Sequence, residues 1–474
     1  MSTPERQALL IADLGYGDAG KGGIVDYLTR LHHAHTVVRY NGGAQAAHNV
    51  VESSGRHHTF AQFGSGTFHP GTRTHLSRFM LVNPLSMLKE AQHLESIGIA
   101  DAFQRTSIDA AALIITPFQQ SANRLQEIAR ASGRHGSCGM GIGETMSDYL
   151  RWGEQMLFAG DLLTRATIRN KLRFIRQAKR PLLEEIHHAL PHTEEVIREL
   201  RTFSDLEIVE DCTDLFHYFA QQAKIVDERY LGKLLEEPGT VIFEGAQGVL
   251  LDEWYGFHPY TTWSTTTFAN ADQLLKEQDY VGNSTRIGVL RAYATRHGAG
   301  PFVAEDAMLT AALPDAHNSN NPWQQTFRVG YFDLVATQYA LQVAGHVDCL
   351  AVTNLDRLAA LPDWKVCAAY QYQGDSADDL ARYFEVEGRT IKRIKMRQPP
   401  NLAHQERLTT LLSGCAPLYQ SFIPAHAGVS AHEDTARYLA LLEQHLKVPV
   451  AIASSGPTTS DKALLQAGAI HAPL

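Results

Sequence analysis

The sequence predicts an α/β protein with a large, mainly parallel central sheet, flanking helices and helical insertions. Three observations predict it. Ala8-Leu9-Leu10-Ile11-Ala12-Asp13-Leu14 is a short apolar run near the N-terminus and reads as a buried strand. Glycines between Gly15 and Gly23 break that run, and Ile24, Val25, Tyr27 and Leu28 then recur at helical spacing. Further along, short apolar runs alternate with helical patterns, as a parallel sheet with crossover helices requires.

A strand, glycine loop and helix in succession aim backbone N–H groups and a helix N-terminus at an anion. Gly15-x-x-x-x-Gly20-Lys21 fits most of a phosphate-binding loop, whose lysine reaches the terminal phosphates. Gly22 stands where a magnesium-holding Ser or Thr would follow, which makes Asp18 the carboxylate available to a metal. The alternative is an ordinary glycine-rich turn. An acid inside an anion-binding loop, however, needs a cation or a protonated substrate to offset it. That favours chemistry.

Composition narrows the class. A chain of 474 residues with 44% hydrophobic and 20% charged residues buries a substantial core, as ordinary globular proteins do. Its net charge of -9 argues against a surface that coats nucleic acid. Cys138, Cys212, Cys349, Cys367 and Cys415 lack CxxC pairing, which fits a reducing compartment. The N-terminus shows no basic segment followed by an apolar signal core, and no apolar run spans a bilayer. The expectation is a cytoplasmic protein with neither a nucleic-acid nor a membrane partner. His32-His33, His57-His58 and His187-His188 lack partner spacing for a metal.

The remaining elements follow in order. Val37 to Tyr40 reads as a strand leading into Asn41-Gly42-Gly43-Ala44-Gln45-Ala46-Ala47-His48, where small residues let backbone approach a ligand. His48 is either a catalytic acid or a hydrogen-bonded core histidine. Phe79 to Val82 reads as a strand, and Pro84 begins a helix carrying Leu85, Met87, Leu88 and Ala91. Gly136 to Gly143 is a second glycine loop. From about 167 to 235 the pattern is helical, with Leu172, Ile175, Leu182, Leu183 and Ile186 on the apolar face. Val241-Ile242-Phe243 forms a strand before a third loop, Glu244-Gly245-Ala246-Gln247-Gly248.

Cys349 to Val352 is a strand that leads into Thr353-Asn354-Leu355-Asp356. A carboxylate there accepts both N1–H and N2–H₂ of guanine, a donor pair adenine lacks. A helix cap is the bland alternative for Asp356. Ala436, Leu439, Leu442 and Leu446 mark an amphipathic helix, and Val448 to Ile452 reads as the last strand. With no repeat or low-complexity linker, residues 1–474 read as one domain with a helical insertion over roughly 165–237.

Several separated stretches together resemble the adenylosuccinate synthetase family. They are Gly17-Asp18-Ala19-Gly20-Lys21-Gly22, Val37 to Gly43, Ala47-His48-Asn49, Phe243 to Gly248 and Pro259-Tyr260-Thr261-Thr262. Ala294 to Phe302, Gly330-Tyr331-Phe332-Asp333, Thr353 to Asp356 and Ser455-Gly456-Pro457 complete the set. They run in the family's order across almost the whole chain.

The resemblance implies a GTP-dependent, magnesium-dependent ligase of purine synthesis, usually a homodimer. A carboxylate takes the N1 proton of IMP, and the 6-oxygen attacks the γ-phosphate of GTP. The amine of aspartate then displaces phosphate to give adenylosuccinate. By matching position, Asp18 would be base and metal ligand, His48 the acid, and the Ala47 carbonyl a second metal ligand. Gly17, Gly20, Lys21, Gly22, Asn354, Asp356, Ser455 and Gly456 would hold GTP. Gln45, Ser137, Cys138, Arg151, Gln247, Thr262 and His297 would hold the purine nucleotide, Arg151 reaching it from the neighbouring subunit.

The chain also departs from the family pattern. Gly23 replaces a second loop lysine, Ser137-Cys138 replaces two threonines, and Asn354 replaces a lysine that would stack on the base. An arginine-rich loop that grips aspartate is replaced by Asn318 to Val329, where the amine-donor candidates are Gln325, Phe327 and Arg328. A dicarboxylate wants bidentate, charge-assisted contacts. Either other arginines supply them or the amine is not aspartate. A paralogue using a modified purine or another amine is therefore the alternative. A purine-nucleotide-binding protein without catalysis is the alternative of another class; a P-loop GTPase switch fits less well because Gly22 lacks a hydroxyl.

Overall fold

Ten strands form the central sheet among the described residues. In chain order they are β1 (Arg6–Asp13), β2 (Thr36–Arg39), β3 (Arg73–Leu76), β4 (Thr106–Asp109) and β5 (Lys224–Val226). Then come β6 (Gly239–Glu244), β7 (Asn283–Arg291), β8 (Cys349–Thr353), β9 (Val450–Ser454) and β10 (Lys462–Leu464). Their spatial order is β10-β9-β8-β7-β1-β6-β2-β3-β4-β5; β1 lies between β6 and β7, parallel to both, and among the described residues of this sheet only β9 and β10 pair antiparallel. This is the expected mainly parallel α/β sheet. The computed structural model describes residues 5–134, 136–315, 326–361, 363–422, 431–466, 468 and 470.

The continuous apolar run of β1 is explained by burial on both faces. Ala8, Leu10 and Ala12 enter one core cluster with Val38, Phe243 and Val352. Leu9 and Ile11 point the other way, toward Ile24, Val25 and Leu28 of helix α1 (Lys21–His32). Truncating Leu10 to Ala would cost about 2–5 kcal/mol at such a site.

A third cluster lies under the helices Arg165–Ala178 and Glu207–Gln222, with Ile168, Leu172, Ile175, Phe216 and Phe219 buried. Of the predicted apolar stripe, only Leu172 and Ile175 lie in this cluster, on Arg165–Ala178. A new helix, Arg180–Ile186, starts with Pro181 in its first turn, and Leu183 and Ile186 pack in a separate small cluster. The same stretch also contains β5, which the helical pattern concealed; it extends the sheet from β4.

Two further boundaries differ from the sequence reading. Only Leu81–Val82 of the predicted 79–82 strand is extended, because the Met80 N–H closes a turn on the Ser77 carbonyl. The strand read over 448–452 is Val450–Ser454, and it is not the last, since β10 returns beside it. A five-stranded second sheet, built on Trp364–Tyr372 and Cys415–Phe422, also went unread. Among the described residues no helix is long and apolar enough to cross a membrane.

Candidate functional site

Loops leaving the carboxyl ends of β1, β2, β6, β7, β8 and β9 surround a cavity of about 660 Å³. This is the end of a parallel sheet where ligands bind. The first loop is held by Asp13, the last residue of β1. Its carboxylate accepts from the N–H of Gly15 at 2.8 Å, the N–H of Ala19 at 3.0 Å and Lys21 Nζ at 3.0 Å. Lys21 Nζ also donates to the Gln247 carbonyl at 2.8 Å, joining the first loop to the third. Left-handed backbone at Gly17, Asp18 and Gly20 makes the turn, and aspartate tolerates that conformation through its short polar side chain. Helix α1 then starts with no side-chain cap and no acid in its first turn. Its free N–H groups remain for an anion.

Asp18 and His48 both line the cavity. Burial raises the Asp18 carboxyl above the ordinary carboxylate range, opposed by the Arg291 and Lys21 cations. His48 Nδ1 lies 2.6 Å from Glu244 Oε1 at the end of β6. Glu244 is wholly buried and also accepts from the Ser65 N–H at 2.9 Å and the Ser65 hydroxyl. Burial alone would raise Glu244, but the Arg39 guanidinium and the His48 and Ser65 hydrogen bonds hold it at about 2. Glu244 is therefore an ionised acceptor, and His48 Nδ1 is the donor. Burial pulls the imidazole down to about 4 despite that bond. Gly22 makes the packing possible: a Cβ there would lie 2.8 Å from His48 Cβ.

Gln45, Gln247 and His297 line the same cavity, and each carries a buried side-chain atom with no protein partner among the described residues. Such orphaned polar atoms call for a ligand or water. His297 ends the strand Ala294–His297, which pairs antiparallel with Phe327–Gly330 and sets His297 opposite Phe327. Arg296 pins the following turn by donating to the carbonyls of Ala299 at 3.0 Å and Pro301 at 2.8 Å. Arg291, at the end of β7, faces the cavity and is held by Asp315 at 2.9 Å and by the Asn354 side-chain oxygen at 3.1 Å.

Gly17, Gly20, Lys21, Gly22, Ala47, Cys138, Asn354, Asp356 and Gly456 also line the cavity. Other predicted residues lie off its walls. The Ser137 hydroxyl pairs with Asn123, and the Thr262 N–H bonds to the Leu251 carbonyl. The Ser455 N–H closes on the Asp461 carbonyl. Arg151 is exposed, its guanidinium 4.8 Å over the Trp152 ring. Arg328 donates to the carbonyls of Gly298 and Gly300 and pairs with Glu305 at 2.8 Å, so its charge braces the ribbon. Phe327 packs edge-on to His297. Gln325 lies outside the described residues.

The sequence profile of the adenylosuccinate synthetase family matches residues 10–463 of this chain. The chain belongs to that family. It is 31% identical to the adenylosuccinate synthetase of Chlorobium limicola over 96% of this chain and 97% of that one. It is also 31% identical to the Salinibacter ruber enzyme over 94% and 95% of the two chains. The fold resembles fully ligated adenylosuccinate synthetase from Plasmodium falciparum, with TM-score 0.73 and 20% identity over 97% of this chain and 99% of that one. It also resembles the cyanophage S-2L succinoaminodeoxyadenylate synthetase, solved with dGMP and with dATP as energy donor, at TM-score 0.58 and 15% identity, covering 97% and 95% of the two chains.

Within this adenylosuccinate synthetase fold, four structural participants escaped the sequence reading: Asp13, Glu244, Arg291 and Lys462. Asp13 had a local signal, a carboxylate at a strand end eight residues before a loop lysine. The other three act across the chain and carry no local spacing. Asn354, read as a nucleotide contact, lines the cavity while its side-chain oxygen is spent on Arg291. Among the described residues no three His, Cys, Asp or Glu side chains converge as an all-protein metal site. The donor set fits Mg²⁺ nonetheless, because that ion takes one or two carboxylates and completes its shell with phosphate and water oxygens.

Proposed function

We propose that this chain is a GTP-dependent C–N ligase that joins aspartate to C6 of IMP, giving adenylosuccinate, GDP and phosphate. The observation that carries this reading is the pairing of Asp18 with a Glu244-anchored His48 beside a phosphate loop, all on one cavity. Simple nucleotide binding needs neither a base nor an oriented imidazole.

The Asp18 carboxylate takes the proton from N1 of the purine, which makes the 6-oxygen nucleophilic toward the γ-phosphate. Burial raises its basicity and so suits it to that task. The negative charge of the bound polyphosphate favours the protonated form of His48. Its Nδ1–H stays on Glu244, and Nε2–H is left to stabilise charge on the oxygens of the transfer. The free N–H groups of α1 hold the phosphates, and Asp356 reads N1–H and N2–H₂ of guanine. Asp18 and the Ala47 carbonyl would hold Mg²⁺, which when bound neutralises phosphate charge. The protein's contribution is thus positioning and charge compensation, as phosphoryl transfer requires. In the second step the amine attacks C6 and phosphate leaves.

The assignment of aspartate rests on the cations available to a dicarboxylate. Arg328 is committed to the ribbon, which leaves Arg291 and Arg357 as the arginines on the cavity wall, Arg291 itself paired with Asp315 at 2.9 Å. That commitment also favours a second reading, in which the donor is an amine with fewer negative charges. Arg151, exposed on its helix, is assigned to a neighbouring subunit's nucleotide in a homodimer, and the compartment is the cytoplasm. Incubating the protein with Mg²⁺, GTP, IMP and single amines, with phosphate release and nucleotide mass followed together, tests the whole reading. Aspartate-dependent adenylosuccinate supports it, and product with another amine supports the second reading. Phosphate release indifferent to IMP contradicts both.

A further inference from the structure

We infer that Lys462 is a phosphate-binding residue of the donor-nucleotide site, its ammonium completing the anion cradle at the start of α1. Lys462 opens β10 and lines the same cavity as the phosphate loop. Its Nζ donates to the carbonyls of Pro457 at 3.2 Å and Thr458 at 2.8 Å, in the turn that follows β9. Gly23, in the first turn of α1, leaves room for it: a Cβ at Gly23 would sit 3.4 Å from both Cε and Nζ. The ammonium thus sits in van der Waals reach of the Gly23 position, against a helix start whose N–H groups have no side-chain cap.

Charge balance gives the second, independent observation. Among the described residues no carboxylate comes within 4.0 Å of Lys462 Nζ. The nearest acids are otherwise committed. Asp461 accepts from the Thr458 N–H at 2.8 Å and hydroxyl at 2.7 Å, and Asp26 accepts from His69 at 3.0 Å and faces Arg30 at 3.7 Å. An ammonium hydrogen-bonded only to carbonyls has no directly paired counter-ion, and a half-buried charge in that position gains from an anion brought beside it. Burial accordingly pulls Lys462 down to about 8, with Asp26 and Asp461 opposing. A polyphosphate lying along α1 supplies the missing anion.

This inference rests on the reading of the cavity as a nucleoside-triphosphate site, and the test separates the two. GTP with Mg²⁺ is titrated into the full-length protein without IMP, so that no turnover occurs, using the parent, K462M, K462R and the double variant G23K/K462M. K462M is expected to bind GTP about tenfold more weakly or worse, the loss that goes with one charge-assisted hydrogen bond. K462R is expected to bind close to the parent, and a lysine returned from position 23 to recover much of the loss. In turnover, KM for GTP should rise in K462M while kcat at saturating GTP and KM for IMP hold. Parent-like binding by K462M overturns the inference and leaves the proposed function standing. Weakened binding that neither K462R nor G23K/K462M restores, with a lowered unfolding midpoint, marks a structural lysine and also overturns it. Failure of the parent to bind GTP overturns the proposed function itself, and this inference with it.

Discussion

His48 and Glu244 share a 2.6 Å hydrogen bond in which a wholly buried carboxylate fixes one nitrogen of an imidazole on the cavity wall. Glu244 keeps its charge because Arg39, itself without solvent exposure, lies 4.0 Å away. The imidazole on the cavity wall is therefore positioned by two residues that do not line that wall.

Glu244→Gln keeps the shape and removes the charge that supports a protonated His48. Steady-state kinetics should show kcat falling by about ten- to a hundredfold, short of the roughly 10²–10⁴ that a general acid contributes when it is removed outright. KM for GTP should change little. His48→Ala should cost more in kcat, and the double variant should be little worse than His48→Ala alone. A sum of the two losses would show that the residues act separately.

Gly22→Ala places a Cβ 2.8 Å from His48 Cβ and 2.9 Å from its carbonyl carbon. Those are backbone-rigid neighbours, so His48 must move. Overpacking of this kind costs about 1–3 kcal/mol. The expected outcome is a lowered denaturant midpoint together with a loss of kcat far larger than the loss of stability explains. Unchanged turnover would contradict the placement of His48 against α1.

Arg291 and Arg328 should separate cleanly. Arg291→Gln is expected to raise KM for the amine donor by about tenfold or more, as loss of a charge-assisted contact does. Arg328→Ala should instead lower the unfolding midpoint, because the carbonyls of Gly298 and Gly300 lose their donor. Initial-rate kinetics and thermal melts on both variants check this division.

Acid should destabilise the sheet through its buried histidines. Burial pushes His75, on β3, from the ordinary 6.5 down to about 4. The unfolded chain therefore binds a proton near pH 6.5 that the folded chain refuses until about pH 4. The stability from this site is fully present above pH 6.5 and is lost as pH falls through that window, amounting to about 3 kcal/mol. Unfolding free energy measured from pH 8 to pH 4 should fall accordingly, and His75→Leu should flatten part of that slope.

The glycine loop after β1 and the mainly parallel sheet were legible from glycine spacing and from apolar runs alternating with helical patterns, and the motif matches pointed to the cavity positions of His48 and Asp356. Asp18 stood out as an acid where an anion belongs. The partners of these residues were not legible. Glu244 reads as the first residue of a glycine loop, and its meaning appears only when it closes β6 beside the loop that carries His48. Lys462 looks like an ordinary surface lysine until Gly23 is seen to leave it room. β5 and β10 escaped because three residues are too few to show a period of two. The helical stretch was read as continuous because its apolar spacing survives the break at Pro181.

The central claim is that the 6-oxygen of the purine attacks the γ-phosphate, with Asp18 removing the N1 proton. Turnover of IMP carrying ¹⁸O at the 6-position, with GTP, Mg²⁺ and aspartate, tests it by mass spectrometry of the released phosphate. The account predicts one ¹⁸O in the phosphate for each adenylosuccinate formed, and neither product with Asp18→Asn. Phosphate free of ¹⁸O, released while IMP keeps its label, would contradict it.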